Sequence, residues 1–247
     1  MDFPPPDLPL ALLLEFDGTL SASGPSGALP ELPPAAVQTL LRASVRFGGA
    51  LAVISDRDIR DLSLRIPQAI WRLGNHGADV RGPRAAPPDA TPSMPEELIF
   101  AVQTLAGRNP GVTFRVQGRT ITVECPPEIE TEAVHTGLDA AVRGVAGYVL
   151  RSGKGQYVLA PRNAHTGAAL QQLMSRRPFR GRIPLMVSRD ADCEDAMLMA
   201  LQLGGYAIKV GAGQTVAPSR VESPAAVWQW LERVAWPGRT RPGVASR

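Results

Sequence analysis

The sequence contains little cysteine, almost no lysine and no long apolar run. Its two cysteines, Cys125 and Cys193, are too few for a disulfide framework or a cysteine zinc site. Apolar stretches such as residues 8–14 fall well short of the roughly 20 residues that a membrane-spanning helix needs. The first residues are acidic and proline-rich and lack the basic stretch of a secretory signal, so we expect a cytoplasmic location.

Lysine is nearly absent, because 24 of the 26 basic residues are arginine and only Lys154 and Lys209 are lysine. Lysine is the compact point charge that enzymes place beside phosphate groups, whereas arginine is a planar fork. The arginines are scattered along the chain and the net charge is only +3. This pattern predicts neither a nucleic-acid partner nor a membrane surface partner.

Strand and helix patterns alternate at both ends of the chain. Residues 8–16, which are apolar except for Glu15 near the end, and residues 49–54 are typical of buried strands. Residues 33–47 between them have helical spacing. The alternation resumes after residue 166. It predicts an α/β fold with a parallel-sheet core.

The middle of the chain has a different pattern. Residues 112–116 and 120–124 flank Gly118 as a predicted hairpin, with helical patterns on both sides. We therefore expect an inserted α+β cap domain. The predicted boundaries are residues 1–80 for the first part of the core, 81–160 for the cap, 161–235 for the second part of the core and 236–247 for a disordered tail.

Four short motifs follow the predicted strands and resemble the trehalose-6-phosphate phosphatase family of the haloacid dehalogenase (HAD) superfamily. They are Glu15-Phe16-Asp17-Gly18-Thr19-Leu20, Ser55-x-Arg57, Gly74-Asn75-His76-Gly77-Ala78 and Val210-Gly211-x-Gly213-x-Thr215. The resemblance extends over nearly the whole chain. It implies a HAD-like Rossmannoid core in which an aspartate attacks the phosphate of trehalose 6-phosphate, assisted by Mg²⁺ and a lysine.

The same resemblance assigns a role to each matching position. Glu15 occupies the nucleophile position and Asp17 the general acid/base position. Ser55 and Arg57 would bind phosphate, and two further residues would contact substrate, namely Asn75 and His76. Asp17 and Asp190 would bind metal if any metal is bound.

Several catalytic positions depart from the family pattern. Glu15 replaces the aspartate nucleophile, and its extra methylene displaces the carboxylate. Thr166 stands at the lysine position and fits a helix N-cap, while the neighbouring His165 is expected to have a structural or capping role. The positions that hold the sugar on the cap are also changed.

The metal site changes as well, because Arg189 occupies the position of a metal-binding aspartate. A guanidinium beside a divalent cation is strongly repelled. We expect Arg189 to take the place of the metal and pair with Glu15 and Asp17. In a shifted alignment, Asp190 would instead be the ligand.

These substitutions favour a non-catalytic pseudophosphatase that binds a sugar phosphate or an enzyme of the trehalose pathway, with no cofactor. One alternative is an active or slow Mg²⁺-dependent phosphatase that hydrolyses trehalose 6-phosphate or another sugar phosphate. The other is a structural role unrelated to sugars.

Overall fold

The chain alternates strands and helices at both ends and carries an antiparallel sheet in the middle. A computed structural model describes residues 3–21, 32–88, 93–126, 129, 131–153 and 156–237. The elements in these residues are β1 (Leu10–Glu15), α1 (Pro34–Arg46), β2 (Leu51–Ile54), α2 (Ile59–Arg65), β3 (Trp71–Gly74), β4 (Asp79–Arg81), α3 (Glu96–Arg108), β5 (Thr113–Gln117), β6 (Thr120–Glu124), α4 (Thr131–Arg143), β7 (Tyr148–Gly153), β8 (Gln156–Pro161), α5 (Thr166–Met174), β9 (Ile183–Ser188), α6 (Glu194–Gln202), β10 (Tyr206–Val210), β11 (Ser219–Val221) and α7 (Pro224–Ala235).

The core contains a seven-stranded sheet with the order β11-β10-β9-β1-β2-β3-β4. Its strand pairs are parallel except for β3 with β4. Every residue of β1 is buried, because helices cover both faces of the sheet. Apolar residues of α1 and α7 pack on one face, and those of α5 and α6 pack on the other. The predicted α/β fold with a parallel core is confirmed.

The cap contains a four-stranded antiparallel sheet with the order β5-β6-β8-β7. Buried side chains of α3 and α4, among them Leu98 and Leu138, pack against Ile121 and Leu159 of this sheet. These elements give the cap an apolar core of its own, separate from that of the core domain. The predicted hairpin around Gly118 is present as β5 and β6.

The carboxyl ends of β1, β2, β3 and β9 meet at one edge of the core sheet. Polar and charged side chains follow each of these strands, and ligand sites in open α/β sheets usually lie at this edge. The tip of the β5–β6 hairpin, residues 117–119, reaches this edge from the cap. Strands β4 and β11 are absent from the sequence prediction, because three-residue edge strands leave no recognisable apolar pattern.

Across the described residues, the helices are all too short or too polar to cross a bilayer. Both cysteines, Cys125 and Cys193, are buried free thiols. Residues 238–247 of the predicted C-terminal tail lie outside the described part of the chain.

Candidate functional site

Glu15 ends β1, and its side chain turns into the loop that follows β9. The residue is only 4% exposed. Its Oε2 atom accepts hydrogen bonds from the hydroxyls of Thr19 at 3.0 Å and Ser188 at 2.5 Å. The same oxygen accepts from the backbone N–H groups of Arg189 at 2.7 Å and Asp190 at 3.0 Å. The carboxylate therefore joins two neighbouring strand ends of the sheet.

The environment of Glu15 also changes its acidity. Burial raises the pKa of Glu15 to about 7, and the charge of Asp190 adds to this rise. The hydrogen bonds from Ser188 and from the backbone of residues 189 and 190 lower the pKa, but less strongly. Near neutral pH the group is thus close to the midpoint of its titration.

Asp17 is held by Arg57 through both carboxylate oxygens. Nε of Arg57 lies 2.8 Å from Oδ2, and Nη2 lies 2.8 Å from Oδ1. Ser55 Oγ is 3.3 Å from Oδ2 of the same carboxylate, and Arg57 also pairs with Asp61 at 3.0 Å. The hydrogen bond with Asp17 raises the pKa of Arg57 further above its usual range. A bidentate pair of this kind fixes the orientation of the carboxylate.

Asp56 connects the core to the cap, a role that sequence analysis missed. Its Oδ2 accepts a 2.9 Å hydrogen bond from Nε2 of Gln117 at the tip of the cap hairpin. Burial raises the pKa of Asp56, and Asp17 and Asp190 raise it further, whereas His76 lowers it. The only signal in the sequence is an acidic residue between the two expected phosphate ligands.

Asn75 also contacts the cap hairpin. Its Nδ2 donates to Asp79 Oδ2 at 2.6 Å, and its Oδ1 accepts from the backbone N–H of Arg119 at 3.2 Å. Asn75 and His76 both have positive φ, of 50° and 53°, which aims this loop toward the cap. Asn75, expected from the resemblance to contact substrate, thus binds groups of its own chain.

The N-terminus of α5 is capped by His165, as predicted. Its Nδ1 accepts from the backbone N–H of Ala168 at 3.2 Å, and its Nε2 lies 3.2 Å from Oδ2 of Asp195. The prediction that Thr166 is the N-cap is wrong. Thr166 is instead the first residue of the helix, and its buried hydroxyl donates to the backbone carbonyl of Asp192 at 2.9 Å.

Arg189 and Asp190 are both exposed and lie at the end of β9. Arg189 meets Glu15 through its backbone N–H, and Asp17 has its bidentate ion pair with Arg57. The pairing of the Arg189 guanidinium with both acids stays a prediction. Asp190 caps the short helical turn that follows it, accepting from Asp192 N at 3.2 Å.

Glu194 and Lys209 form a further ion pair that sequence analysis did not identify. Nζ of Lys209 donates to Glu194 Oε1 at 2.8 Å, and Lys209 is only 3% exposed. The other carboxylate oxygen accepts from Thr215 Oγ1 and from the backbone of Val216. Lys209 is therefore buried and already paired with Glu194. The other lysine, Lys154, lies outside the described residues.

A Mg²⁺ ion is the cofactor that the resemblance implies, but the residues at this edge do not fit it. Both oxygens of Asp17 are engaged by Arg57, and Oε2 of Glu15 already has four donors. Magnesium requires near-octahedral oxygen ligation. The described residues include no group of three or more His, Cys, Asp or Glu side chains placed to hold a metal ion.

A cleft separates this edge from the cap strands β7 and β8. It has a volume of about 210 Å³ and is bordered by Arg151 and Gln156 of the cap and by His76, Thr166 and Asp192 of the core. The sequence-predicted residues are thus divided. Glu15, Asp17, Ser55 and Arg57 form the edge itself, whereas His76 and Thr166 border the cleft.

Comparison with known proteins confirms the resemblance that the motifs predicted. The chain is 28% identical to the trehalose-6-phosphate phosphatase of Escherichia coli (strain K12) over 232 residues, which cover 91% of this chain and 86% of that protein. No protein-family model matches it.

Solved structures share the fold. An Aspergillus fumigatus trehalose-6-phosphate phosphatase superposes with a TM-score of 0.67 at 19% identity, covering 91% of this chain and 92% of the other. The C-terminal domain of a Candida albicans trehalose synthase regulatory protein superposes with a TM-score of 0.58 at 12% identity, covering 91% and 93%.

Proposed function

Because this chain is related in sequence and fold to the trehalose-6-phosphate phosphatases of the HAD superfamily, we propose that it is a non-catalytic member, a pseudophosphatase. The observation that carries the proposal is the carboxylate of Glu15. It occupies the nucleophile position but serves as the acceptor for two hydroxyls and two backbone N–H groups of the protein itself.

A nucleophile must present a lone pair to the reacting phosphorus in a defined geometry. Misplacement by about 1 Å can cost roughly a hundredfold in rate. The longer side chain of Glu15 points into the loop after β9, and its raised pKa leaves part of the population protonated at neutral pH. Both effects reduce its capacity to attack a phosphate ester.

The positive charge that would stabilise a transferring phosphoryl group is also reduced. Such stabilisation is usually the largest contribution to catalysis. Thr166 supplies a hydroxyl in place of an ammonium, and that hydroxyl is bound to a backbone carbonyl. Arg57 is a cation at the edge of the sheet, but Asp17 and Asp61 already compensate its charge.

In this proposal the chain binds a ligand or a partner without turnover. The candidates are a sugar phosphate and an enzyme of the trehalose pathway. One solved structure with this fold is a trehalose synthase regulatory protein, and another is a trehalose-6-phosphate phosphatase. The fold alone is therefore compatible with either role, and the site decides between them.

The direct test is release of phosphate from trehalose 6-phosphate by the purified chain, with and without Mg²⁺. We expect release no faster than that of the Asp17→Asn variant. Mg²⁺-dependent release that Asp17→Asn abolishes would contradict the proposal.

A restoration experiment tests the cause. The triple variant Glu15→Asp, Thr166→Lys, Arg189→Asp should gain measurable phosphatase activity, because it returns the three departures to the family pattern. The same triple variant with Asp17→Asn added is the control and should be inactive. If the triple variant releases no phosphate, these three substitutions do not by themselves explain the absence of phosphatase activity.

An active or slow Mg²⁺-dependent phosphatase is the second candidate. It is favoured by the persistence of Asp17, Ser55 and Asp190 at the same edge of the sheet and by the name of the Escherichia coli relative. Turnover would then require Arg57 to release Asp17. The release assay with the Asp17→Asn control discriminates between the two candidates.

A further inference from the structure

The side chain of Arg72 in β3 is completely buried, and two of its nitrogen atoms have no acceptor. Its exposed fraction is 0%, and Nη2 donates to the backbone carbonyls of Gly82 and Ala85 at 2.9 Å each. Nε and Nη1 are also buried and have no hydrogen-bond partner among the described residues. Buried polar groups are nearly always hydrogen-bonded, and an unpaired buried charge is costly. Arg72 therefore lacks the anionic partner that a buried guanidinium normally has.

A second arginine lies opposite Arg72 on the neighbouring strand. Arg72 and Arg81 are paired in the antiparallel register of β3 and β4, so their side chains share one face of the sheet. Like charges directly opposite one another destabilise a strand pair. Burial lowers the pKa of Arg72, and the charge of Arg81 lowers it further. In the described part of the chain, both arginines donate to backbone carbonyls and neither is paired with a carboxylate.

The backbone beside Arg72 makes a tight turn at the start of the segment that leads to the cap. Residues 82–85 form this turn, in which the N–H of Ala85 donates to the carbonyl of Gly82 at 3.3 Å. Arg84, the third residue of the turn, has a φ of 65°, which residues other than glycine seldom adopt. The turn directs two carbonyl groups at Nη2 of Arg72 and leaves Nε and Nη1 for a different partner.

Arg72 faces helix α2 and not the cleft below the cap. Side chains alternate along a strand, so Arg72 and Gly74 share one face of β3. A Cβ added at Gly74 would lie 2.7 Å from the backbone of Ile59 in α2. Trp71 and Leu73, on the opposite face, belong to the apolar cluster beneath α5 and α6. The guanidinium is therefore enclosed by β3, β4 and α2, and Arg72 is not among the residues that border the cleft.

We propose that Nε and Nη1 of Arg72, together with Arg81, bind a monatomic anion such as chloride. A halide accepts hydrogen bonds from any direction and supplies the negative charge that the two arginines lack. A phosphate ion would need more room than a guanidinium without exposed surface leaves. The bound anion offsets the repulsion between β3 and β4 and stabilises the turn at residues 82–85, where the segment to the cap begins. The site does not depend on the proposed function, because it lies outside the edge that carries Glu15 and Asp17.

Thermal unfolding of the full chain tests the site. Chloride is raised from about 1 mM to about 300 mM at constant ionic strength, with gluconate as the replacing anion. An anion that binds only the folded state stabilises it, so the Tm should rise by about 2–4 °C. Bromide should have the same effect as chloride. A Tm that is equal in chloride and in gluconate would overturn the proposal.

Variants assign the effect to these two arginines. Arg72→Met should abolish the chloride-dependent rise in Tm, but it also removes the hydrogen bonds to the turn. Arg81→Gln keeps those bonds, removes one of the two positive charges and should reduce the rise by about half or more. Arg143→Gln is the control, because Arg143 is 79% exposed on α4, and it should show the full rise. An equal rise in Arg81→Gln and in the wild type would mean that chloride acts elsewhere, and the proposal would fail.

Crystals of the full chain soaked in bromide locate the anion. We expect an anomalous peak within hydrogen-bond distance of Nε or Nη1 of Arg72. A water molecule in that place, or no anomalous peak there, would contradict the proposal.

Asp89 is the first acidic residue after the turn and lies outside the described residues. Asp89→Asn tests whether the chain supplies the negative charge itself, and this variant should show the same chloride-dependent rise in Tm as the wild type. If only Asp89→Asn responds to chloride, the carboxylate of Asp89 takes the place of the anion and the proposal is wrong.

Discussion

Arg57 holds both carboxylate oxygens of Asp17, with N–O distances of 2.8 Å each. The two residues lie 40 positions apart in the chain and follow neighbouring strands, β1 and β2. Asp17 is the position at which the family resemblance implies a general acid and base. Here its two oxygens are committed to an ion pair within the protein.

We expect Arg57→Met to destabilise the protein by about 1–3 kcal/mol, because it leaves Asp17 and Asp61 without their charged donor. The control is Arg143→Met, which removes the ion pair of an arginine that is 79% exposed and should change stability by less than about 0.5 kcal/mol. Urea unfolding measures both. Equal effects of the two variants would show that the Asp17 pair does not stabilise the fold.

The pKa of Glu15, which burial raises to about 7, predicts a specific dependence of stability on pH. The unfolded chain releases this proton near 4.5, so between about pH 4.5 and 7 the folded state binds more protons. The stabilisation is complete below pH 4.5, declines as the pH rises through this range and is lost above about pH 7.

Glu15→Gln should remove this part of the pH dependence, because an amide does not titrate. Between pH 4.5 and 8, the free energy of unfolding of the wild type should fall by about 3 kcal/mol relative to the variant. Urea titrations at several pH values provide the measurement. Glu124→Gln, at an exposed position, is the control and should show the same pH dependence as the wild type. If the free energy of unfolding of Glu15→Gln falls with pH as much as that of the wild type, the effect comes from other groups.

The hydrogen bond between Gln117 and Asp56 holds the cap hairpin on the core. Removing it with Gln117→Ala should raise the rate of amide hydrogen exchange in β5 and β6 by about fivefold, since one such bond contributes about 1 kcal/mol. Arg115→Ala, an exposed change on the same hairpin, is the control. Equal protection in both variants would mean that other contacts close the cap.

Gly118 allows a close approach of the hairpin to the core. Its φ is +57°, and an added Cβ would lie 2.4 Å from Oδ1 of Asn75 and 3.1 Å from Cβ of Asp58. Gly118→Ala therefore has a steric cost in addition to its backbone strain.

Gly147→Ala is the matched comparison, because Gly147 also has a positive φ, of +84°, but has no neighbour within 4 Å of an added Cβ. We expect about 1–2 kcal/mol of destabilisation for Gly147→Ala and at least about 1 kcal/mol more for Gly118→Ala. Thermal or urea unfolding compares them. If the two losses are equal, the hairpin does not contact Asn75 in solution.

Sequence analysis predicted the elements whose apolar patterns are long, and the structure confirms them. The all-buried strand β1 and the hairpin of β5 and β6 are examples. The capping role of His165 was also predicted, because capping is local. Thr166 was misassigned by one position, since both residues can accept a hydrogen bond at a helix start and only the backbone geometry selects His165.

The partners of the charged residues were not predictable in the same way. Arg189 contacts Glu15 through its backbone N–H, a contact that the residue type at this position does not predict. Asp56 and Gln117 are 61 positions apart and match no family motif, so nothing in the sequence connects them. Each of these contacts depends on the positions of the cap and the loops in the folded protein.

The sequence by itself determined the alternation of strands and helices and the inserted cap, and its resemblance to the family predicted that Glu15, Thr166 and Arg189 stand at the nucleophile, lysine and metal-ligand positions. These properties are encoded in local apolar periodicity and in residue identity at motif positions. Only the tertiary structure decided what the replacing residues do. Glu15 accepts hydrogen bonds from residues 173 to 175 positions away, and Asp17 is bound by Arg57. Charges and hydrogen bonds act over a few ångströms in space, so their partners follow from the fold and not from distance along the chain.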